Sequence, residues 1–343
     1  MFKSAVEEID KSVCVTCVDD GKAAADVIIR NNLDIMVVDA EIKETGLVEL
    51  IKLVIKNAPK TFILVTSRPS STSAKIFMEA LAIGASDSMT KPIYDSYNEN
   101  YETVKTRMSD IIGALREKTL DSDNEKQNTD NENIKSKSSS VSAKAKKTVS
   151  HKNFRPQIIL FAVSTGGPRA LETIISELRT DIPVPILIVQ HMPPHFIETL
   201  AGRLNSKTKL KIKVAENGEK LSGETIYLAP GGVHMRLNSD NEVYLDDSPP
   251  LNGVRPAADA LFESVAEDFA GNRVLIIILT GMGQDSLRGL IRLKDKKKCF
   301  SIAQSEKTCV VYGMPRAVIE EGLVDKILDL DKIASEINGF NYI

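Results

Sequence analysis

Three apolar runs in the second half of the chain each end in a residue suited to acyl transfer. QIILFAV (157–163) runs into Ser164, VPILIVQ (184–190) into His191, and VLIIILT (274–280) into G-M-G-Q and then Asp285. A serine hydroxyl is a weak nucleophile until an imidazole takes its proton. The imidazole in turn needs a carboxylate to fix its tautomer and stabilise its charged form. Ser164-Thr165-Gly166-Gly167 reads as a strand-to-helix turn whose backbone N–H groups can stabilise a developing oxyanion. Gly281-Met282-Gly283 lets the backbone after the third run approach a substrate closely. The competing reading of the first loop is an anion-binding turn that holds a phosphate and catalyses nothing. Three occupied strand ends favour catalysis. The chain order Ser, His, Asp and the absence of G-x-S-x-G exclude the α/β-hydrolase layout.

Other reactive groups offer less. His195 follows Pro193 and Pro194, so H-x-x-x-H does not share a helical face, and no third zinc ligand is evident. His234, in A-P-G-G-V-H-M-R, is expected in a loop lining the same cleft, and His151 falls in a polar linker. Cys14 and Cys17 form a C-x-x-C, a spacing used in redox sites, but it lies in a strand-like run (13–18) where positions three apart face opposite sides. With Cys299 and Cys309, four cysteines are too few for a disulfide framework.

The elements that must position these groups follow from the same runs. Each is rich in Ile, Val and Leu without alternation, the pattern of parallel strands buried on both faces. A helix-like segment (169–179) separates the first two, which predicts a right-handed βαβ unit with both carboxyl ends on one edge. The second module is therefore read as a doubly wound parallel-sheet domain over 154–343.

At 343 residues the chain is too long for one core. Residues 118–153 are almost wholly Ser, Asn, Asp, Glu and Lys, a composition that predicts a flexible linker. The first module, 1–117, alternates helix-like and strand-like segments: helix 1–9, strand 13–18, helix 21–31, strand 34–38, helix 46–56, strand 62–66, helix 73–83, strand 86–90 and helix 101–116. This is α/β order, with a parallel sheet whose ligand crevice lies at the carboxyl ends of its strands. Asp39, Thr66 and Lys91 stand at such ends. A net charge of −3 argues against binding to nucleic acid or a membrane surface. No apolar run is long enough for a signal peptide or membrane span, so a cytoplasmic protein without membrane insertion is expected.

L-D-I-M-V-V-D (33–39) and G-A-S-D-S-M-T-K-P (84–92) make residues 1–117 resemble a two-component receiver domain, a flavodoxin-like parallel sheet. The resemblance implies that Asp39 accepts a phosphoryl group from a histidine kinase, with Thr66 and Lys91 contacting it. Receivers hold Mg2+ with an acidic pair after the first strand, and Asp19-Asp20 looks like that pair. Two helices should separate it from Asp39, yet there is room for one. Strand 13–18 is thus the second strand, the pair is a decoy, and the first, interior strand is missing. Mg2+ is expected only if a true pair exists. The loop A-E-I-K-E-T-G after Asp39 is also one residue short of the pattern and lacks its proline. The count predicts a start codon about twenty-five to thirty residues upstream of Met1, or else a decayed receiver.

S-T-G-G-P, Q-H-M-P-P, Y-L-A-P-G-G-V-H-M, L-T-G-M-G-Q-D, A-Q-S-E and V-V-Y-G-M-P-R, in this order, resemble the CheB family of chemotaxis protein-glutamate methylesterases. The resemblance implies a Ser164–His191–Asp285 triad that needs no cofactor. Met282 would donate its N–H to the oxyanion, and Thr165 and Gly283 would line the same site. It implies hydrolysis of glutamyl methyl esters on chemotaxis receptors, deamidation of receptor glutamines, and control by a receiver that a chemotaxis histidine kinase phosphorylates. His195, the Ala257-Ala258 pair, Ser286 and Ser305 depart from the family pattern, which has Gly, Ser-Val, Gly and Asp there. These changes bear on substrate fit and leave the triad atoms intact. Two other functions remain: a non-catalytic module that binds receptors or a kinase, and a small-molecule esterase. The intact triad speaks against the first and the receiver-like module against the second.

Overall fold

The computed structural model describes residues 1–43, 45–129 and 154–342. In the N-terminal unit, α1 (Phe2–Ile9) and α2 (Gly21–Arg30) precede β1 (Ile35–Asp39) and α3 (Leu47–Asn57). β2 (Phe62–Ser67), α4 (Ser71–Ile83), β3 (Asp87–Thr90) and α5 (Tyr97–Thr129) follow. The strands pair in parallel in the order β1-β2-β3, and β2, apolar in its first four positions, is buried at all six. Polar side chains start the helices: Asp20 accepts from the Ala23 amide at 2.8 Å, and Ser70 from the Ser73 amide at 3.0 Å.

Two expectations need correcting. Residues 13–18 are not a strand. Among the described residues no strand lies on the outer side of β1, so this segment has no ladder to join and its apolar alternation goes unused. The last helix does not stop at 116 but continues to Thr129. The first part of the segment expected to be linker is therefore helical, and 130–153, with His151, lies outside the described residues.

The C-terminal unit is built on a parallel sheet of order β12-β11-β10-β4-β5-β7-β6. In chain order its elements are β4 (Ile158–Val163), α6 (Gly167–Glu177), β5 (Ile186–Gln190), α7 (Pro194–Asn205), β6 (Lys211–Val214) and β7 (Thr225–Leu228). A hairpin of β8 (His234–Leu237) and β9 (Val243–Asp246) leads into α8 (Ala258–Glu267), β10 (Arg273–Ile278) and α9 (Leu287–Lys296). The chain closes with β11 (Lys298–Gln304), α10 (Gly313–Glu320), β12 (Lys326–Leu328) and α11 (Leu330–Asn338). Alternate residues of β4 feed opposite cores. Ile159, Phe161 and Val163 pack with α6, α7 and α11, while Ile158, Leu160 and Ala162 pack with α8, α9 and α10. Burial on both faces is why the runs lack polar alternation.

From β4 the chain winds toward β5 and β6, and β10 later starts the other half on β4's opposite side. The loops after β4 and β10 therefore part at a topological switch point, where such sheets open a crevice. The N-terminal unit leans on the rim of this crevice. Phe77 of α4 meets Phe196 of α7 with ring centroids 5.2 Å apart, and Met282, Val310 and Val311 pack into the cluster of Val104, Met108 and Ile111 from α5.

Candidate active site

Ser164 follows β4, His191 follows the neighbouring β5, and Asp285 lies in the loop after β10 on the other side of β4. The His191 amide bonds the Val163 carbonyl and the Ser164 amide bonds the Thr280 carbonyl, which ties all three strand ends into one register. A Cβ on Gly281 would come within 2.8 Å of Ser164 Cβ, so only glycine lets the loop after β10 lie this close to the serine.

His191 and Asp285 are joined directly. His191 Nε2 lies 2.7 Å from Asp285 Oδ2, with side chains 10% and 3% exposed. Nδ1 is therefore the nitrogen left to face Ser164. The Ser164 hydroxyl makes no hydrogen bond to the imidazole among the described residues.

Asp285 is held by further donors. Its Oδ2 also accepts from the Ala258 amide at 2.6 Å, and its Oδ1 from the Asp259 amide at 3.0 Å and Asn252 Nδ2 at 3.4 Å. Burial by itself would raise the Asp285 pKa. The bonds from His191 and from the amides of Asp259 and Ala258 outweigh it and hold the carboxyl below the usual range. The two amides open α8, so the carboxylate also sits at the positive end of that helix.

The glycine loop behaves as its sequence suggests. Gly166 is left-handed (φ 78°) at the start of α6, and a Cβ on Gly167 would collide with Gln190 Oε1. Gln190 Nε2 in turn donates to the Ser164 carbonyl at 3.0 Å. Thr165 is buried beside Ser164, and Met282 and Gly283 lie on the facing loop. Thr280, fully buried, ties the two loops together: its hydroxyl reaches the Thr165 carbonyl at 2.9 Å and the Val311 amide at 3.0 Å.

Arg107 of α5 crosses from the N-terminal unit to this loop. It pairs with Asp87, lies 3.6 Å from Met282 Sδ and 3.4 Å from Thr165 Oγ1, and Thr165 Oγ1 itself donates to Asp87 at 2.6 Å.

The other residues singled out in the sequence divide. Asp39 and Thr66 are partners in the β1–β2 register, and Lys91 forms an ion pair with Asp39, so these three do meet at the sheet's carboxyl edge. His234 does not line the cleft. It opens β8, fully buried, accepting from the Ala257 amide at 3.1 Å with Nε2 3.2 Å from the Pro249 carbonyl. His195 is exposed in the first turn of α7. Cys14 and Cys17 are exposed free thiols. Sequence reasoning missed Asn252, Asp259, Gln190 and Thr280. The R-P-x-x-D and Q-H motifs contain Asp259 and Gln190, but nothing local signals that they reach Asp285 and the Ser164 carbonyl.

Comparison with known proteins gives the family. The family profile described as CheB methylesterase matches residues 159–337. Proteins named protein-glutamate methylesterase/protein-glutamine glutaminase from Thermotoga maritima and Desulfotalea psychrophila are 35% and 34% identical, each alignment covering 93% of this chain and 88% of the relative. The crystal structure of the Thermotoga maritima CheB methylesterase catalytic domain is 41% identical, covers 53% of this chain and 97% of that one, and superposes with a TM-score of 0.51. A profile over half of the chain, and relatives aligned along nearly all of it, place this chain in the CheB methylesterase family.

Proposed function

We propose that this chain hydrolyses glutamyl methyl esters, and deamidates glutamines, on the cytoplasmic helices of chemotaxis receptors, with Ser164, His191 and Asp285 as its triad. The reading is carried by the buried His191–Asp285 pair at the switch-point crevice beside Ser164. Ser164 Oγ attacks the side-chain carbonyl while His191 Nδ1 takes its proton. As the tetrahedral intermediate collapses, His191 returns that proton to the leaving methoxy oxygen, which departs as methanol, or to the amide nitrogen of a glutamine, which departs as ammonia. A water activated by the same imidazole releases the glutamate. A Ser164–His191 hydrogen bond need not be formed beforehand, since such bonds tighten when the reacting complex forms. The Met282 amide has no acceptor among the described residues and serves the oxyanion, with Thr165 and Gly283 shaping the site around it.

The N-terminal unit is read as a receiver and residues 118–153 as its linker to the catalytic unit. Asp39 is the phosphoryl acceptor, Lys91 and Thr66 its contacts, and a chemotaxis histidine kinase the donor. Mg2+, which a receiver implies, does not fit the residues present. Asp20 caps α2, Asp39 is paired with Lys91, and among the described residues no three Asp, Glu, His or Cys side chains gather to hold a metal ion. Arg107 and Asp87 hold this unit against Thr165 and Met282, so it restrains the site until it moves. Receptor substrates put the protein in the cytoplasm, consistent with the lack of a described helix long and apolar enough to cross a membrane.

Methanol release from methylated receptor membranes is the test, with and without a small-molecule phosphodonor. Release that vanishes in Ser164→Ala supports the reading. A wild-type protein that binds receptors but releases no methanol overturns it in favour of a non-catalytic module.

A further inference from the structure

We propose that Asp259 and Asn252 are positioning residues that hold the Asp285–His191 couple in its working geometry. The inference rests on the triad reading above and concerns residues that the reading does not use.

The two helices flanking the triad carboxylate cap each other. Asp285, just before α9, accepts from the Ala258 and Asp259 amides in the first turn of α8. Asp259, in that first turn, sends its own carboxylate back to α9, where Oδ1 accepts from the Gly289 amide at 2.7 Å. Amide groups at helix starts have no intrahelical partner, so each carboxylate satisfies donors that would otherwise be orphaned. The exchange fixes α8 and α9 as a pair and sets the direction of Asp285.

Asn252 completes the device. Its Nδ2 donates to Asp259 Oδ2 at 2.8 Å and reaches Asp285 Oδ1 at 3.4 Å. An amide nitrogen has two hydrogens, one for each carboxylate, and so lets two buried acids sit side by side. The backbone at Asn252 is left-handed (φ 52°), which aims the side chain inward from an exposed turn. Among the described residues both hydrogen-bond partners of the Asp259 carboxylate, the Gly289 amide and Asn252 Nδ2, are donors, which suits its ionised form.

Burial, and then the neighbouring Asp285, raise the Asp259 pKa, against the Gly289 amide, Asn252 and Arg288, which lower it. The charged groups facing Asp259 are thus Asp285, in the loop after β10, and Arg288 from α9. An ionised Asp259 adds negative charge beside Asp285, so removing that charge should displace the acid limb of the pH–rate profile to lower pH.

The experiment uses the full chain and methylated receptor membranes. Asp259→Asn removes the charge at nearly constant shape. Asn252→Gly removes the amide and keeps the left-handed backbone, and it covers the case in which Asp259→Asn fails to fold. The readouts are kcat and KM, the acid limb of the pH–rate profile, and thermal melting, with His191→Gln as a control. Expected are a kcat loss of about tenfold in each variant with little change in KM, and an acid limb of the pH–rate profile displaced to lower pH in Asp259→Asn. Wild-type kcat and an unmoved acid limb in both variants, whether or not melting falls, would reduce the pair to helix caps and overturn the proposal. If His191→Gln itself stays active, the triad reading has failed; an inactive His191→Gln beside wild-type rates in Asp259→Asn and Asn252→Gly leaves that reading standing and overturns the proposal alone.

Discussion

A single carboxylate organises the site. Asp285 collects one imidazole and three further donors, so its charge is balanced by groups from β5, the α8 start and the turn at Asn252. Replacing Ser164 with Ala deletes one oxygen at a strand end and opens little cavity. Ester hydrolysis should fall by about a thousandfold or more with melting unchanged, and turnover near wild type would remove Ser164 from the mechanism. His191→Gln should be nearly inactive and His195→Gln active, because only His191 meets Asp285. The lowered pKa of Asp285 gives a pH signature. A depressed folded-state pKa stabilises the fold above the unfolded value and loses that contribution as pH falls through the folded one. The stability gap between wild type and Asp285→Asn should therefore narrow below about pH 4 in denaturant titrations.

At the scale of elements, the helix starts at the switch point carry both order and strain. Ser286 caps the start of α9 with a left-handed backbone (φ 89°), makes no side-chain capping bond, and buries a hydroxyl that has no hydrogen-bond partner among the described residues. This is the position where the family pattern has glycine. Ser286→Gly should stabilise the protein by about 1–3 kcal/mol, since it relieves the backbone and removes an unsatisfied group. Urea unfolding would read it, and an unchanged or lower midpoint would mean that the hydroxyl is satisfied in solution. α8 and α9, capping one another, should unfold together, and hydrogen exchange of the Ala258, Asp259 and Gly289 amides should report one common opening.

Across the whole molecule, the N-terminal unit covers one side of the crevice through Arg107, Asp87 and the Phe77–Phe196 contact. Removing the Arg107 side chain should loosen this cover. We expect Arg107→Ala to release methanol faster than wild type in the absence of a phosphodonor. A fragment beginning at Phe154 keeps the aromatic cluster of Phe154, Phe300 and Phe340, whose centroids lie 5.3–6.0 Å apart. It should fold and hydrolyse at least as fast as the full chain. A soluble but much slower fragment would show that the N-terminal unit assists catalysis instead of restraining it.

The apolar runs by themselves determined β4, β5 and β10, their parallel direction and the reactive residue at each end, because a strand buried on both faces must be continuously apolar. Asp39, Thr66 and Lys91 were singled out as residues that close or follow strand-like segments, and the structure brings them together, Asp39 in register with Thr66 and paired with Lys91. Tertiary structure decided what depended on partners distant in the chain. Residues 13–18 alternate like a strand, but a ladder needs a neighbour, and among the described residues no strand lies on the outer side of β1. His234 looked like a cleft residue and instead bridges two backbone segments in the core. Asn252 and Arg107 carry no local pattern, and the motif that contains Asp259 gives no sign that it meets Asp285. Asn252 and Asp259 meet Asp285, and Arg107 meets Met282, only after the sheet has brought together residues far apart in sequence. A hydrogen bond between such residues is fixed by the packing of whole helices, which no window of sequence contains.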